Sequence, residues 1–387
     1  MKKKSPKKKA TRQKKKAVKK RAPVLQTSKR TQKKKTVTPP APRAVKKRDQ
    51  LILGIDLGTS QTAVMSDRGH QSMFMSVVGY PKDIIAVKLF EGTHIIGEDA
   101  LNNQSSLDLY VPLENGTIKE AGDRDLDTAR ILLQHVVELT QPRSRDKIGG
   151  IIGVPAQASM MNKEILLKLA GEVMDVALVV SEPFLVAYAL NRITNSIIVD
   201  IGAGTIDVCG VQGALPGAKD QITFYKAGNY IDRRLEAAIN ASYPSAQVTR
   251  NQVRKIKEKY SFVGKPEKPV VVTLRTDGKP AHFDLTEEIR TVCESIVPEI
   301  VEKVSMLVPQ FDPEDQEEAL GNIFLAGGGS KIRGLDKMIV NKLKEYGEVI
   351  VIPVDNPNFI GCLGALKMAS DMPPDKWDQI GLIKSAL

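Results

Sequence analysis

The stretch "IIVDIGAGTIDVCGV", Ile197 to Val211, follows an earlier one, "LILGIDLGTSQTAV", Leu51 to Val64. Each runs as an apolar strand, an Asp, one apolar residue, a turn of glycine and small hydroxyl residues, and a second apolar strand. The two acids, Asp56 and Asp200, lie 144 positions apart. Glycine lets such a turn close tightly with no Cβ in the way, so several backbone N–H groups can point at one anion. The hydroxyls of Thr59, Ser60 and Thr205 add donors. The carboxylate beside each turn would repel a bare phosphate, so the pattern makes sense with a divalent cation between them, held directly or through water. Two such turns facing each other would clamp a polyphosphate from both sides.

The bounds are those of a globular protein with a charged tail. Of 387 residues, 42% are hydrophobic and 26% charged, both ordinary for a soluble fold. The net charge of +12 hides two opposite parts. Residues 1–48 hold 22 Lys and Arg and no acid, and the remaining 339 are net negative by ten. Like-charge repulsion, few apolar residues and Pro39, Pro40 and Pro42 predict a disordered tail over 1–48. Such a tail either solubilises the chain or binds an anionic partner. Cys209, Cys293 and Cys362 form no CxxC, which fits a reducing cytoplasm. The four histidines show no metal spacing. No apolar run approaches the roughly 18 residues of a membrane span, and no apolar segment follows the basic start as in a secretory signal.

From Asp49 onward, strands and helices alternate, which predicts an α/β fold with helices packed on sheets. "DRDLDTARILLQHVVELT" predicts a helix capped by Asp123 or Asp125. "IGGIIGVPA" reads as a strand and "MMNKEILLKLAGEVMD" as a helix; "ALVVSEPFLVAYAL" reads as strand, turn and helix. Then follow helices over "IDRRLEAAINASY" and "RNQVRKIKEKYSF", a β-rich "PVVVTLRTDGKPAHFDL", and one long helix from about Thr286. The "NIFLAGGG" strand and a helix from about Leu335 complete the pattern. The doubled turn predicts two similar halves with a ligand cleft between them.

No GxxxxGK[ST] occurs, so a P-loop is excluded. "GGGSKIRG", Gly327 to Gly334, follows a strand and precedes a helix but lacks GxGxxG spacing. Beside a phosphate clamp it reads as a glycine-flat surface for a nucleoside.

Five segments together resemble the actin, Hsp70 and sugar-kinase superfamily. "GIDLGTSQTAV" is similar to its first phosphate motif, "IIVDIGAGTIDV" to its second and "NIFLAGGGSKIRGL" to its adenosine motif. "VVSEPFLVAYAL" and "GCLGALKMAS" resemble its two connecting helices. They keep the family order and span residues 50–370. The resemblance implies an actin-like, ribonuclease H-like fold of two lobes. It also implies bound ATP or ADP with Mg2+ between the lobes. The boundaries it implies are a first lobe over 49–195, with an insert at about 76–115, and a second over 196–354, with an insert at about 229–284. The chain would return to the first lobe over 355–387. "IIGEDALNNQSSLDLYVPLENGTIKE" and "GVPAQAS" resemble bacterial actins of the MreB type. "SVVGYPKDIIAVKL", "ALVVSEPF" and "FIGCLGALKMA" resemble the actin-like filament proteins of magnetotactic bacteria.

The resemblance also implies roles. Asp56 and Asp200 would organise magnesium through its water shell and count as catalytic. Gly58, Thr59 and Ser60, with Gly202, Ala203, Gly204 and Thr205, would cradle the phosphates. Glu182 would orient the attacking water, and Lys257, Glu258, Gly327, Gly328 and Gly329 would line the nucleoside. Ala63 stands in the stretch where eukaryotic actin and Hsp70 carry a lysine, so metal and backbone would carry more of the charge neutralisation. The implied function is a cytoplasmic actin-like ATPase that polymerises with itself, remodels on hydrolysis and helps to position magnetosomes. A plasmid-segregating filament and a small-molecule kinase of the same fold are the alternatives. For the tail, an acidic connector protein, an anionic membrane surface and nucleic acid are the candidate partners.

Overall fold

The structure is a computed structural model that describes residues 50–119, 122–373 and 376–377. The basic tail and its expected disorder lie outside the described residues. The described residues form one compact unit.

The first half opens with an antiparallel meander of β1 (Gln50–Leu57), β2 (Gln61–Ser66) and β3 (Gln71–Met75). A small insert follows: β4 (Val78–Pro81), α1 (Ile84–Phe90), β5 (Ile95–Ile96), α2 (Glu98–Asn102) and β6 (Leu107–Tyr110). Its three strands make their own sheet. A hairpin, β7 (Leu113–Glu114) and β8 (Thr117–Ile118), leads to α3 (Asp123–Leu139), β9 (Lys147–Val154), α4 (Met160–Val173), β10 (Val176–Ser181) and α5 (Glu182–Leu190).

The second half repeats the plan. Here β11 (Ser196–Ile201), β12 (Ile206–Val211) and β13 (Gln221–Phe224) form the meander. Then come α6 (Gly228–Ser242), α7 (Arg250–Tyr260), the hairpin β14 (Val271–Thr276) and β15 (Lys279–Asp284), α8 (Thr286–Glu294), α9 (Val297–Leu307) and α10 (Gln316–Leu320). The chain closes with β16 (Ile323–Ala326), α11 (Leu335–Leu343), β17 (Val351–Pro353) and α12 (Ile360–Asp371).

The two large sheets have the orders β10-β9-β1-β2-β3 and β13-β12-β11-β16-β17. In each, the opening strand pairs antiparallel with the second strand of its meander and parallel with a later strand. β1 and β11 are therefore central strands, which is why they read as nearly continuous apolar runs. Because they are central and equivalent, the turns that end them occupy equivalent places. Each half has its own core, one around Leu53, Ile55, Leu133 and Ile152, the other around Ile197, Val199, Leu235 and Ile300. A further apolar layer gathers Phe184, Val186 and Ala187 of α5 with Ile198 of β11 and Ile360 of α12. The three cysteines are buried free thiols, and among the described residues no helix is long and apolar enough to cross a membrane.

Two local expectations need correction. The helix α3 is preceded by Gly122 with no side-chain cap; Asp123 and Asp125 sit inside its first turn, where the helix dipole favours them. The expected long helix from Thr286 is two helices, α8 and α9, broken at Ser295 and Ile296. Pro298 explains the break: in a continuous helix its ring would collide with the carbonyl of Glu294, whereas in the first turn of α9 it costs nothing.

An ion pair ties the meander of the first sheet to the loop before β9. Both terminal guanidinium nitrogens of Arg68 donate to Asp146, each at 2.6 Å. This bidentate bond holds the Asp146 carboxyl down at about 2. A lowered carboxylate value means stability that is complete above the ordinary range and lost as pH falls through about 2. Asp146→Asn should therefore lower the urea midpoint at pH 7. That deficit should shrink steadily as pH falls below the ordinary carboxylate value. A deficit that does not change with pH would show that the pair contributes by packing alone.

Candidate functional site

Strand geometry delivers the first turn. β1 ends at Leu57, and Gly58 to Ser60 connect it to β2. The turn is braced from the segment after β3: Ser76 Oγ donates to the Gly58 carbonyl at 2.7 Å, and the Ser76 N–H donates to the Ser60 carbonyl at 2.9 Å. Thr59 Oγ1 accepts from the Gly116 N–H at 2.7 Å, which leaves its hydroxyl proton free for a ligand. The second turn closes on itself through Gly202 N–H to the Thr205 carbonyl at 2.9 Å. The start of α6 holds it from behind: the N–H groups of Gly228 and Asn229 donate to the carbonyls of Gly202 and Ala203 at 3.0 and 2.7 Å.

The two turns meet across a cleft of about 310 Å³. The contact is close: a Cβ on Gly204 would lie 2.4 Å from Thr59 Oγ1 and 2.9 Å from Asn115 Cα, so only glycine lets these segments approach. Gly327 closes the floor. Its φ is +69°, and a Cβ there would lie 2.4 Å from Asp200 Oδ1.

All fifteen residues singled out from the sequence line this one cleft. Asp56, Gly58, Thr59, Ser60 and Glu182 come from the first half, and Asp200, Gly202, Ala203, Gly204 and Thr205 from the second. Lys257 and Glu258 of α7, with Gly327, Gly328 and Gly329, line it further along. Lys257 is not part of a solvated surface pair: its ammonium donates to Asp232 Oδ2 at 2.9 Å and to the Gly228 carbonyl at 3.1 Å.

The base of the cleft gathers three carboxyl groups, those of Asp56, Glu182 and Asp200. Burial pushes the Asp56 carboxyl up to about 6. Burial first, and then neighbouring carboxylates, push Glu182 and Asp200 well above the ordinary range. No basic side chain among the described residues is paired with these three. Nor do the described residues contain three or more His, Cys, Asp or Glu placed to hold a metal ion together. A hard cation that keeps most of its water and takes one or two carboxylates, with the rest of its charge met by phosphate, suits this all-oxygen donor set.

Several residues of the site were not anticipated. Asp207 is buried, and its Oδ1 accepts from the Ala156 N–H at 2.8 Å and from Thr223 Oγ1 at 2.5 Å, joining the second sheet to the loop after β9. Its signal was present in "GTIDV", an acid at an otherwise apolar strand position. Arg254 lines the cleft and reaches across it, with 3.9 Å to Glu98 of α2 and 3.0 Å to the Met75 sulfur. Asp232 lies on the buried face of α6 beside Ile231 and Leu235. An acid in the apolar stripe of a helix was the available sign.

Two sheets of one topology, meeting at paired glycine-rich turns, define an actin-like nucleotide-binding fold. The chain belongs to the MreB/Mbl protein family, whose model matches residues 50–375. It is 48% identical over 334 residues to "Actin-like protein MamK" of Paramagnetospirillum magneticum, covering 86% of this chain and 96% of that one. A solved "MamK double helical filament" superposes with a TM-score of 0.82 at 48% identity, over 84% of this chain and all of that one. A solved non-polymerising MamK mutant bound to AMPPNP superposes with a TM-score of 0.66 over the same shares.

Proposed function

We propose that this chain is an actin-like ATPase that polymerises with ATP and magnesium and remodels its filaments when the ATP is hydrolysed. One observation carries the reading: two equivalent Asp-Gly turns, 144 positions apart, face each other at the base of one cleft. Asp56 and Asp200 would hold magnesium through its waters, and the backbone of Gly58 to Ser60 and Gly202 to Thr205 would cradle the phosphates. Bound magnesium would disperse charge on the phosphoryl group. Glu182, at the first turn of α5, would polarise the attacking water. Lys257, Glu258 and Gly327 to Gly329 would flank the nucleoside. The two lobes would be 49–195 and 196–354, with 355–387 returning to the first. The MamK relatives, one of them solved as a filament and one with AMPPNP, support both parts of the reading. The surface supports self-assembly as well. Ile84, Ile85, Val87 and Leu89 of α1 are each at least half exposed, an apolar crest that a second copy would cover. In the cell such a filament would lie in the cytoplasm and organise magnetosomes.

The test is sedimentation with phosphate release measured alongside. The full chain should pellet with ATP and magnesium far more than with ADP. A soluble protein that turns over ATP only with an added acceptor would instead be a kinase. A body starting at Asp49 should still pellet with ATP, since every residue of the cleft lies within it. The same body should lose most binding to anionic vesicles at low salt, because a polybasic segment gains about 1 kcal/mol per charge near such a surface. Failure of the shortened body to assemble would place the tail in the filament lattice.

A further inference from the structure

Asp232 has an unusual position. It is only 5% exposed, yet it lines the cleft. One carboxylate oxygen, Oδ2, takes the Lys257 ammonium at 2.9 Å. The other, Oδ1, is buried and has no hydrogen-bond partner. A buried oxygen without a donor is costly, and a charged one more so. The Lys257 ammonium bonds Oδ2 and the Gly228 carbonyl and makes no hydrogen bond to Oδ1. Burial raises the Asp232 carboxyl in spite of Lys257, a further sign that the group is under-supplied with donors.

Its place along the cleft says what the missing donor is. Gly228 packs on the second phosphate turn, with a Cβ position 3.2 Å from Ala203 Cα. Asp232 is four residues further along α6, one helical turn away on the same face. The glycine surface of Gly327 to Gly329 lines the same cleft. The position is thus one step from the phosphates and short of the base. In a nucleotide that step is the sugar, whose only donors are its hydroxyls.

We propose that Asp232 selects ribonucleotides: Oδ1 accepts a ribose hydroxyl, while Oδ2 holds the Lys257 ammonium against the nucleoside. This rests on the reading of the cleft as a nucleotide site. Lys257 balances the acid, so the carboxylate does not repel the phosphates beside it. To reach the sugar, the carboxyl group would turn so that Oδ1 leaves its buried position.

The experiment is equilibrium binding of ATP, 2′-deoxy-ATP and 3′-deoxy-ATP to the full chain and to two variants. The wild type should bind one deoxy analogue at least about tenfold more weakly than ATP, the loss expected for a bond to a charged acceptor. Asp232→Ala should bind ATP more weakly and hold both analogues equally, so that the ratio collapses to about one. Asp232→Asn keeps the shape and a neutral acceptor, and should fall between the two. It also decides the matter if the alanine variant does not fold. A wild type that binds all three nucleotides alike, or an Asp232→Asn variant that keeps the full wild-type ratio, overturns the proposal. If the wild type binds no ATP at all, the nucleotide reading itself fails.

Discussion

Glu182→Gln is expected to bind ATP and assemble, yet release phosphate about 100-fold more slowly than the wild type, the lower end of what a positioned general base contributes. The side chain starts at the first residue of α5, where Pro183 follows and β10 ends without an intervening loop. Both ends of that junction are fixed, so the carboxyl has little freedom. Gly153 of β9 leaves the room it needs: a Cβ there would lie 3.0 Å from Glu182 Cγ. Without a cation, burial and then Asp56, Asp207 and Asp200 favour the protonated form of Glu182. Activity should rise with pH as Glu182 loses its proton, since only the carboxylate can act as base, and Glu182→Gln should flatten that rise. Filaments of the variant should persist after ATP is mixed in. Normal phosphate release by Glu182→Gln would remove this residue from the chemistry and point to another acid of the cleft.

Gly364→Ala is expected to destabilise the body by about 3 kcal/mol, the upper part of the range for overpacking. A Cβ at Gly364 would lie 1.9 Å from the Leu185 carbonyl oxygen, a backbone atom that cannot rotate away. The neighbouring contact is as tight: a Cβ on Gly54 of β1 would lie 2.1 Å from the Cys362 carbonyl oxygen. α12 is therefore wedged between α5 and β1 through backbone contacts on both sides. β1 leads through Asp56 into its turn, and α5 begins at Glu182. Moving α12 outward by the width of a methyl group shifts the two carboxylates relative to each other. The variant should lose stability and turnover together, read as a lower urea midpoint at unchanged slope and a slower phosphate release. Gly92→Ala is the control: its Cβ would meet nothing nearer than 3.6 Å, and its effect should stay within about 0.5 kcal/mol. If Gly364→Ala matched Gly92→Ala, the helix would have room that these contacts deny.

The parts of this protein whose chemistry is local were legible in its amino acids alone. A tight turn of glycine and hydroxyl residues beside an acid is written in a few consecutive residues, so the turns Asp56 to Ser60 and Asp200 to Thr205 could be read directly, and both line the cleft. Central strands bury both faces, so their unbroken apolar runs marked β1 and β11. The repetition of strand and turn predicted two halves and a cleft. Local reading failed where two local rules competed. In "RTVCESIVPEI" the apolar spacing favoured one helix, but Pro298 imposed the break.

Which distant side chains share a space was settled by packing. Lys257 and Asp232 are 25 positions apart, Asp207 and Ala156 are 51 apart, and Arg254 and Met75 are 179 apart. Nothing in the pattern of one helix or strand encodes such a partner, because the partner's distance is set by how the halves fold together. The same holds for Asp232. Its sequence context places it on the apolar face of α6, and only packing shows that this face ends at the cleft. The difference is one of range. Backbone preferences and turn chemistry act over a few residues, whereas the donor missing from Asp232 Oδ1 is defined by everything folded around it.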